Sequence, residues 1–396
     1  MKIKRRIHPK LLVMFVLASI TFVYSCKEKE DPPETIIPEL SFSDFSMIEG
    51  TGNDKIASIV FTLSEFSNDT VSFKWSLIEN SAKLDEDYVS DTTGIISFLP
   101  GQVSKKLSVT IKADSDFELD ENLLVVVSDF VNLTTKKYTA TITIENDDVS
   151  TIEKDAEGYI TPIEYPGMTL VWSDEFDGAT INPDNWTHEL GKSGWGNNEW
   201  QDYTNLATNS YIENGKLVIK ATSNYGNYYS ARLKTQGKKE FTYGRIDIRA
   251  KMPEGKGIWP ALWMLGGNIS SVGWPKCGEI DIMEFLGHDT MTVYGTAHYD
   301  ESGHQYKGSN LRCKTGEAYN HMFHVFSIVW EENSISWYID NFKYFTLTKN
   351  DIAFEAFRKP QFFIFNVAVG GNWPGYPDQT TVFPQKMTVD YVRVFQ

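Results

Sequence analysis

The sequence predicts an all-β protein in which a small antiparallel β-sandwich precedes a larger two-sheet jelly roll. Short segments rich in Val, Ile, Thr and aromatic residues recur from about residue 40 to the end, with Gly, Asn and Pro between them. Helical periodicity of useful length is nearly absent. With 396 residues, of which 41% are hydrophobic, the chain can form two or three structural units with sizeable cores.

Composition limits the partners of the chain. Lys and Arg number 37 against 53 Asp and Glu, which gives a net charge of −16. Such a surface repels phosphate backbones, so we expect no nucleic-acid partner. Aromatic residues make up 14% of the chain. They indicate either large aromatic cores or a cleft that stacks rings on sugars, and composition alone favours the cores.

The first residues have the character of a targeting signal. A basic MKIKRRIHPK stretch precedes LLVMFVLASITFVYS, which is too short to span a bilayer comfortably. The Ser25-Cys26 junction, followed by KEKED, resembles a bacterial lipoprotein signal, although Tyr24 is bulkier than usual there. The resemblance implies a signal peptide over 1–25, lipidation of Cys26 and a surface-exposed anchor in the outer membrane. The alternative is an ordinary secretory peptide with an unrelated Cys.

Residues 26–39 form a Pro- and acid-rich tether, and residues 40–148 read as the small sandwich. This region resembles the Calx-beta domain through SMIEG, DEDY, GIISFLPGQ, ADSDFELDEN and TITIENDD. The resemblance implies that acidic residues at one end could bind calcium, since hard cations prefer clustered carboxylates. The alternative is a spacer with no occupied site. The implied ligands are Glu49, Asp87, Asp116, Glu118 and Asp147.

A linker over 149–166 leads to the jelly roll over 167–396. Its strand-like segments include KLVIKAT, YGRIDIRAKM, EIDIMEF, HVFSIVW, FFIFNVAV and MTVDYVRVF. Cys277 and Cys313 are the remaining cysteines. Export permits a disulfide between them, but two cysteines cannot establish one, and two free thiols are slightly favoured.

The segment GEIDIMEF carries the chemistry. Side chains alternate along a strand, so Glu279 and Asp281 share one face while the isoleucines between them face the core. Glu284 has the wrong parity to join them. It reaches their face only if one extra residue, most simply Met283, is absorbed in a β-bulge. The sequence therefore predicts a bulge in this strand.

With that bulge, the spacing suits a retaining glycosidase. The Cα atoms of Glu279 and Glu284 would lie about 13 Å apart. Side chains that lean together could bring their carboxyls to about 5–5.5 Å, the separation typical of retaining enzymes. Asp281 between them would raise the pKa of a neighbouring carboxyl and favour its acid role. Spacing alone does not assign the two glutamates to their roles.

EIDIME, preceded by GIWPALWML and followed by GTAHY, resembles glycoside hydrolase family 16, in the laminarinase-like group. The resemblance implies a concanavalin-like jelly roll that cleaves β-1,3-glucan (laminarin) or mixed β-1,3/1,4-glucan internally. It makes Glu279 the nucleophile, Glu284 the acid/base and Asp281 the assisting carboxylate. No cofactor is expected for catalysis, and we expect a monomer.

Further residues are predicted to grip the sugar chain. The motifs GWGNNEWQDYT, ARLKT and FNVAVGGNWPG supply several by resemblance, and Trp259 and Trp263 fall on one face of a strand. Core packing is the alternative for each Trp, and a structural hydrogen bond for His298. The predicted contacts are Asn198, Glu199, Trp200, Arg232, Trp259, Trp263, Trp274, His298, Asn366 and Trp373.

The family resemblance also implies a structural calcium ion at Glu175, Gly215 and Asp390. Two of these would act through backbone carbonyls, so only Asp390 is constrained by the sequence. The ion would clip the first and last strands together and would take no part in catalysis.

Three other functions stay open. A surface glycan-binding lipoprotein would fit the anchor and the sandwich, but would have no need of three carboxylates. Hydrolysis of an algal galactan such as agar or carrageenan is a second alternative. The cleft motifs have no concentrated set of Lys and Arg for sulfate groups, which makes this alternative slightly weaker. Transglycosylation of xyloglucan is a third, and that group usually has a shorter strand without the bulge.

Overall fold

The computed structural model describes residues 37–148, 152–313 and 317–396. The predicted signal peptide, Cys26 and most of the tether lie outside these residues. Within the described parts, no helix is both long and apolar enough to cross a bilayer. The all-β prediction is confirmed, since strands dominate and the helices among the described residues are one short α-helix and one 3₁₀ turn.

The N-terminal sandwich consists of two five-stranded sheets that enclose a core of their own. Strict alternation builds it: in KIASIVFTL every second side chain from Ala57 to Leu63 is buried. The sheet orders are β10-β1-β3-β7-β5 and β2-β11-β9-β4-β6. The strands are β1 Glu39–Ser41, β2 Phe45–Ile48, β3 Lys55–Leu63, β4 Val71–Glu79, β5 Tyr88–Val89, β6 Thr93–Phe98, β7 Ser104–Ile111, β8 Phe117–Glu118, β9 Glu121–Val131, β10 Thr134–Thr135 and β11 Thr139–Glu145.

The second unit is the jelly roll. Its strands are β12 Glu153–Lys154, β13 Tyr159–Ile160, β14 Leu170–Asp174, β15 Thr187–Glu189, β16 Gln201–Tyr203, β17 Ser210–Glu213, β18 Lys216–Asn224, β19 Asn227–Ser230, β20 Arg232–Lys234, β21 Glu240–Phe241, β22 Gly244–Lys251, β23 Ile258–Gly266, β24 Glu279–Phe285, β25 Thr292–Asp300, β26 His304–Arg312, β27 His324–Trp330, β28 Ser334–Ile339, β29 Phe342–Thr348, β30 Gln361–Val369 and β31 Gln385–Phe395. The helices are α1 Ile269–Val272 and a 3₁₀ turn at Phe354–Arg358.

Two sheets pack around one large apolar core in this unit. The groove sheet has the order β15-β20-β30-β23-β24-β25-β26, with β21 paired to β30. The back sheet runs β16-β19-β18-β31-β22-β27-β28-β29, with β14 and β17 attached to it. Strand β30, with the sequence QFFIFNVAV, is buried on both faces, which explains why its sequence is mostly apolar.

Part of the predicted linker is structured and packs on the jelly roll. Strands β12 and β13 form a small hairpin. Arg249 donates to the backbone oxygen of Tyr159 at 2.6 Å and to Asp155 at 2.7 Å. The hairpin thus supplies acceptors for an arginine of β22 that is 2% exposed.

The two units also share a sheet edge. β8 of the sandwich pairs in parallel with β29 and extends the back sheet. The rings of Phe117 and Phe342 meet edge to face at 4.9 Å, and Lys343 reaches Glu118 at 2.6 Å. The sandwich therefore packs against the back sheet through its acidic end. A spacer without contacts to the jelly roll would not form this interface.

Candidate active site

The strand β24 contains the predicted bulge. On the β25 side, Asp281 pairs with Thr296 and Glu284 with Tyr294, so two residues of β24 oppose Gly295 alone. Ile282 and Met283 are these two residues, and both are buried in the core. On the β23 side Met283 pairs with Leu262, so the extra residue there is Ile282 and not the predicted Met283. Because the strand absorbs one extra residue, Glu284 returns to the face of Glu279 and Asp281.

Gly295 opposite the bulge leaves room for the layer beneath. A Cβ there would lie 2.5 Å from the Trp337 ring and from the Tyr344 hydroxyl. The Trp337 indole in turn donates to the backbone oxygen of Asp281 at 2.9 Å. The core thus holds the bulged strand from below, and any side chain at position 295 would push this layer away.

The three carboxylates have distinct partners. Trp274 Nε1 donates to Glu279 at 2.9 Å, and Trp259 Nε1 donates to Glu284 at 3.1 Å. His298 Nε2 lies 3.2 Å from Asp281 and 3.7 Å from Glu279. The two glutamates therefore accept indole hydrogen bonds, while the aspartate faces an imidazole that can carry a proton.

All three carboxyls have raised pKa values because they are buried close to one another. Burial, and then the charge of Asp281, raises the pKa of Glu279 to about 7. Burial raises the pKa of Asp281 as well. Burial and the charges of Asp281 and Glu279 hold the pKa of Glu284 well above its usual range. Glu284 is therefore suited to donate a proton and Glu279 to ionise first among the two glutamates.

The carboxylates line a cavity of about 730 Å³ whose walls include five Trp and two Tyr side chains. On the Glu284 side, the Trp373 ring meets those of Trp259 and Tyr294 edge to face, at 5.5 Å and 4.9 Å. On the Glu279 side, Trp274 packs near His298. Trp259 and Trp263 lie on the same face of β23, as predicted. Sugar rings can stack on such walls.

A second group of residues forms the end of the cavity around Arg232. The guanidinium lies 4.8 Å from both the Trp195 and Trp263 rings, and its Nε donates to Glu189 at 2.6 Å. Trp263 Nε1 donates to Asn366 at 2.8 Å. These contacts hold Arg232 and Trp263 in place, so they form a preorganised wall.

Two predicted contacts do not line the cavity. Asn198 points to Asn372, with 2.9 Å between the amide groups, and Trp200 stacks on Tyr376 with ring centroids 4.1 Å apart. Glu199 between them does line the cavity, is 8% exposed, and accepts from Gln201 at 2.5 Å. Adjacent residues face opposite ways as the chain enters β16, so of Asn198, Glu199 and Trp200 only Glu199 reaches the groove.

The structure also adds lining residues that the sequence reading missed. The main group lies on β25 and β26, where alternation from His298 along β25 and its pairing with β26 point to the groove face. The added residues are Trp195, Asn197, Leu265, Ile269, Tyr294, Thr296, His304, Tyr306, Ser309 and Asn310.

The acidic end of the sandwich forms two groups whose oxygens lie within 4.8 Å of one another. Of the predicted ligands, Glu49 belongs to one group, and Asp87 and Glu118 to the other. Asp116 instead accepts from Tyr338 at 2.7 Å, and Asp147 accepts from the backbone of Gly50 at 2.9 Å. The predicted set is therefore divided, and the run ADSDFELDEN and its partner NDD supply the missing members. The two groups are Glu49, Asp114 and Asp148, and Asp87, Glu118 and Glu121.

The second predicted calcium position already holds cations from the chain itself. Asp390 accepts from Arg249 at 2.6 Å and lies 3.4 Å from Lys216. The Glu175 carboxylate forms a two-pronged pair with Arg393, and Gly215 occupies the β17–β18 turn with a φ of 71°. A calcium ion there would have to displace Arg249 and Lys216 from Asp390. The side chain of Asp390 therefore does not favour the predicted calcium site.

No disulfide joins Cys277 to Cys313 in the structure. Cys277 is fully buried beside the groove sheet, where burial raises the pKa of its thiol to about 11. The disulfide that the sequence left open is not formed, and a buried thiol of this kind has little thiolate character.

Comparison with known proteins identifies relatives of the jelly roll. The family model described as glycosyl hydrolases family 16 matches residues 197–393. A beta-glucanase of Rhodothermus marinus is 39% identical over 249 residues, covering 58% of this chain and 86% of that protein. The glucan endo-1,3-beta-glucosidase A1 of Niallia circulans is 37% identical over 279 residues, but this chain spans 41% of its length and the match covers 63% of this chain.

Solved structures agree with these matches. The laminarinase catalytic domain of Thermotoga maritima is 49% identical, with a TM-score of 0.54. The match covers 58% of this chain and 98% of that domain. The similarity therefore spans the whole of a laminarinase catalytic domain and the jelly roll here.

Proposed function

The chain belongs to the glycosyl hydrolases of family 16, and we propose that it cleaves β-1,3-glucan or mixed β-1,3/1,4-glucan internally, with retention of configuration. The observation that carries the proposal is the bulge in β24, which brings Glu279, Asp281 and Glu284 to one face of an aromatic groove. Two carboxyls that flank one bond are what double displacement requires.

In the first step, a Glu279 oxygen attacks the anomeric carbon and forms a glycosyl ester, while Glu284 protonates the departing glycosidic oxygen. In the second step, Glu284 takes a proton from water, which attacks the same carbon and releases Glu279. The raised pKa of Glu284 suits the acid of the first step. The indole of Trp274 holds one Glu279 oxygen and leaves the other for attack.

The groove favours neutral glucan over sulfated galactan. Among the described residues that line it, Arg232 is the one Lys or Arg, and Glu189 already neutralises its charge. Indole walls lie on both sides of the carboxylates, at Trp259 and Trp274. Binding surface on both sides of the cleaved bond suits attack within a chain.

The experiment compares the wild type with Glu279→Gln on laminarin. We expect the variant to lose reducing-sugar release by about 10³-fold or more, because the nucleophile is gone, while affinity electrophoresis shows retained glucan binding. Proton NMR of the first wild-type products should show the β-anomer. Binding by the wild type without hydrolysis would instead identify a surface glycan-binding protein, and preferred release from agarose or carrageenan would identify a galactanase.

We further propose a cell-envelope location, supported by the sequence of residues 1–26 alone. Lipidation at Cys26 would tether the chain to the outer membrane, and incorporation of labelled palmitate that is lost in Cys26→Ser tests it. The docked sandwich would then lie between the anchor and the groove. We also propose that its acidic groups bind calcium, since oxygen clusters of this kind suit a hard cation.

A further inference from the structure

His304 lines the groove and contacts two side chains that in turn contact the catalytic carboxylates, although it lies outside the motifs EIDIME and GTAHY. It opens β26, the edge strand of the groove sheet, after the turn at Gly303. Its Nε2 lies 2.9 Å from Nδ1 of His298, and the two rings are nearly parallel with centroids 5.1 Å apart. The other nitrogen of His298 faces Asp281 at 3.2 Å. Asp281, His298 and His304 thus form a continuous chain of polar contacts.

A second contact links His304 to the other end of the site. Its ring centroid lies 4.4 Å from that of Trp274, whose indole donates to Glu279. His304 therefore touches both side chains that hold the carboxylates: the imidazole beside Asp281 and the indole on Glu279. A change at position 304 can act on the reaction through either one.

The two imidazoles constrain each other's protons. A hydrogen bond between Nδ1 of His298 and Nε2 of His304 needs one proton between two nitrogens. If His298 is neutral with its proton on Nε2, directed at Asp281, then His304 donates from Nε2. If His298 is a cation, it donates to an unprotonated Nε2 of His304. In both cases His298 keeps an N–H directed at the carboxylates. Only neutral His298 with its proton on Nδ1 lacks this N–H.

We propose that His304 is a positioning residue that keeps a protonated Nε2 of His298 directed at Asp281 and Glu279. The proposal rests on the glycosidase function given above, in which Glu279 must ionise to attack. A hydrogen-bond partner on one imidazole nitrogen selects the tautomer of the other. His304 fixes His298 in the form that stabilises the ionised carboxylates.

The surroundings keep His304 suited to this task. The groups that face it are His298 of β25, Glu279 and Asp281 of β24 through His298, Trp274, and Tyr306 of its own strand. Burial and the neighbouring His298 lower the pKa of His304, which favours its neutral form. With its proton on Nε2, that form donates to Nδ1 of His298 and leaves the His298 proton on Nε2. A protonated His298 lowers the pKa of Glu279.

Two substitutions separate the contacts of His304. His304→Phe keeps a ring against Trp274 but removes the hydrogen bond, whereas His304→Gln keeps an amide that can bond His298 and removes the ring. We expect His304→Phe to lower kcat on laminarin about tenfold, which corresponds to about 1.4 kcal/mol, with little change in KM. The acidic limb of kcat/KM should move to higher pH, because Glu279 loses stabilisation by His298. His304→Gln should restore most of kcat and the pH profile.

His321→Phe is the matched control, because His321 is exposed and does not line the groove. It should change neither kcat nor the pH profile. A change in KM alone in His304→Phe would overturn the proposal and make His304 a sugar contact. Equal losses in the Phe and Gln variants, with an unmoved acidic limb, would overturn it in favour of simple packing.

One measurement is independent of activity. In ¹⁵N-histidine NMR spectra, with His298 assigned through His298→Gln, the wild type should show a protonated Nε2 at His298. His304→Phe should show a mixture of tautomers. An unchanged His298 signal in His304→Phe overturns the proposal even where activity falls. If the wild type failed to hydrolyse glucan, the glycosidase function would fall, while this spectrum would still decide the role of His304.

Discussion

Two regions of this chain bury carboxylates in clusters, and they neutralise them differently. In the groove, Glu279 and Glu284 accept indole hydrogen bonds, and Asp281 faces His298. At the acidic end of the sandwich, Glu118 meets the ammonium of Lys343, which comes from the jelly roll. The groove relies on titratable and neutral partners, whereas the sandwich relies in part on a permanent cation from another unit.

The difference follows from what each cluster must do. A carboxyl that donates a proton during a reaction needs a raised pKa, which burial and the neighbouring acids Asp281 and Glu279 provide for Glu284. A fixed ion pair would hold it ionised. A carboxylate that only joins two units gains from a permanent cation, because an unpaired buried charge is costly. We therefore expect substitutions in the groove to lower the rate of hydrolysis, and substitutions at the acidic end to lower the stability of the fold.

The largest expected effect is on rate, at Glu284. Glu284→Gln should lower kcat/KM on laminarin by about 10³-fold, within the range for loss of a general acid. An aryl glucoside with a dinitrophenol leaving group needs no proton, so formation of the glycosyl ester from it should fall far less. Stopped-flow release of dinitrophenol measures that step.

Asp87→Asn is the matched control in the acidic end. It should leave kcat/KM on laminarin unchanged, because Asp87 lies against the sandwich backbone at Lys83 and not in the groove. Equal losses on laminarin and the activated substrate in Glu284→Gln would contradict its role as the acid. A loss of rate in Asp87→Asn would erase the distinction between the two clusters.

The next effect is on stability, at Lys343. Its side chain is 10% exposed and pairs with Glu118, which is 4% exposed. Lys343→Met should lower the free energy of unfolding by about 3 kcal/mol, since it leaves buried carboxylates without their cation. Denaturant unfolding measures this change, and kcat/KM below the transition should be unaltered.

Lys349→Met provides the comparison, because Lys349 is exposed in the turn after the same strand. We expect it to change the free energy of unfolding by less than about 0.5 kcal/mol. If both variants had the same stability as the wild type, the Lys343 contact would not hold the two units together.

Local rules were sufficient for the parts of the molecule set by strand alternation. The parity of Glu279, Asp281 and Glu284 predicted the bulge, and the spacing of Trp259 and Trp263 placed both on one face of β23. These features depend on neighbours along one strand. The pattern of strand-like segments predicted the two-sheet jelly roll, the family resemblance added its concanavalin-like type, and the fold class is confirmed.

Contacts between distant segments could not be read in this way. Trp200 packs on Tyr376, so its place outside the groove depends on a residue 176 positions further along the chain. His304 joins the site because β26 folds back on β25 at its edge. The docking of β8 on β29 depends on a pairing between residues more than two hundred positions apart, which no local sequence pattern predicts.

The smallest expected effect tests whether the acidic end takes up a second cation in addition to Lys343. Burial and the charge of Asp114 raise the pKa of Glu49 to about 7. A carboxyl whose pKa is raised on folding stabilises the fold most below its unfolded value near 4.5, and this contribution is lost as the pH rises through about 7. Calcium should offset the loss, by at most about 2.7 kcal/mol at a hundred times its dissociation constant.

We therefore expect added Ca²⁺ to raise the melting temperature more at pH 8 than at pH 5, and to slow hydrogen exchange in residues 40–148. Glu49→Gln should reduce both effects, while Asp129→Asn, on the same sandwich but outside either acidic group, should keep them. An unchanged melting temperature with Ca²⁺ at pH 8 would contradict calcium binding at the acidic end, and the two clusters would then differ only in the kind of partner they hold.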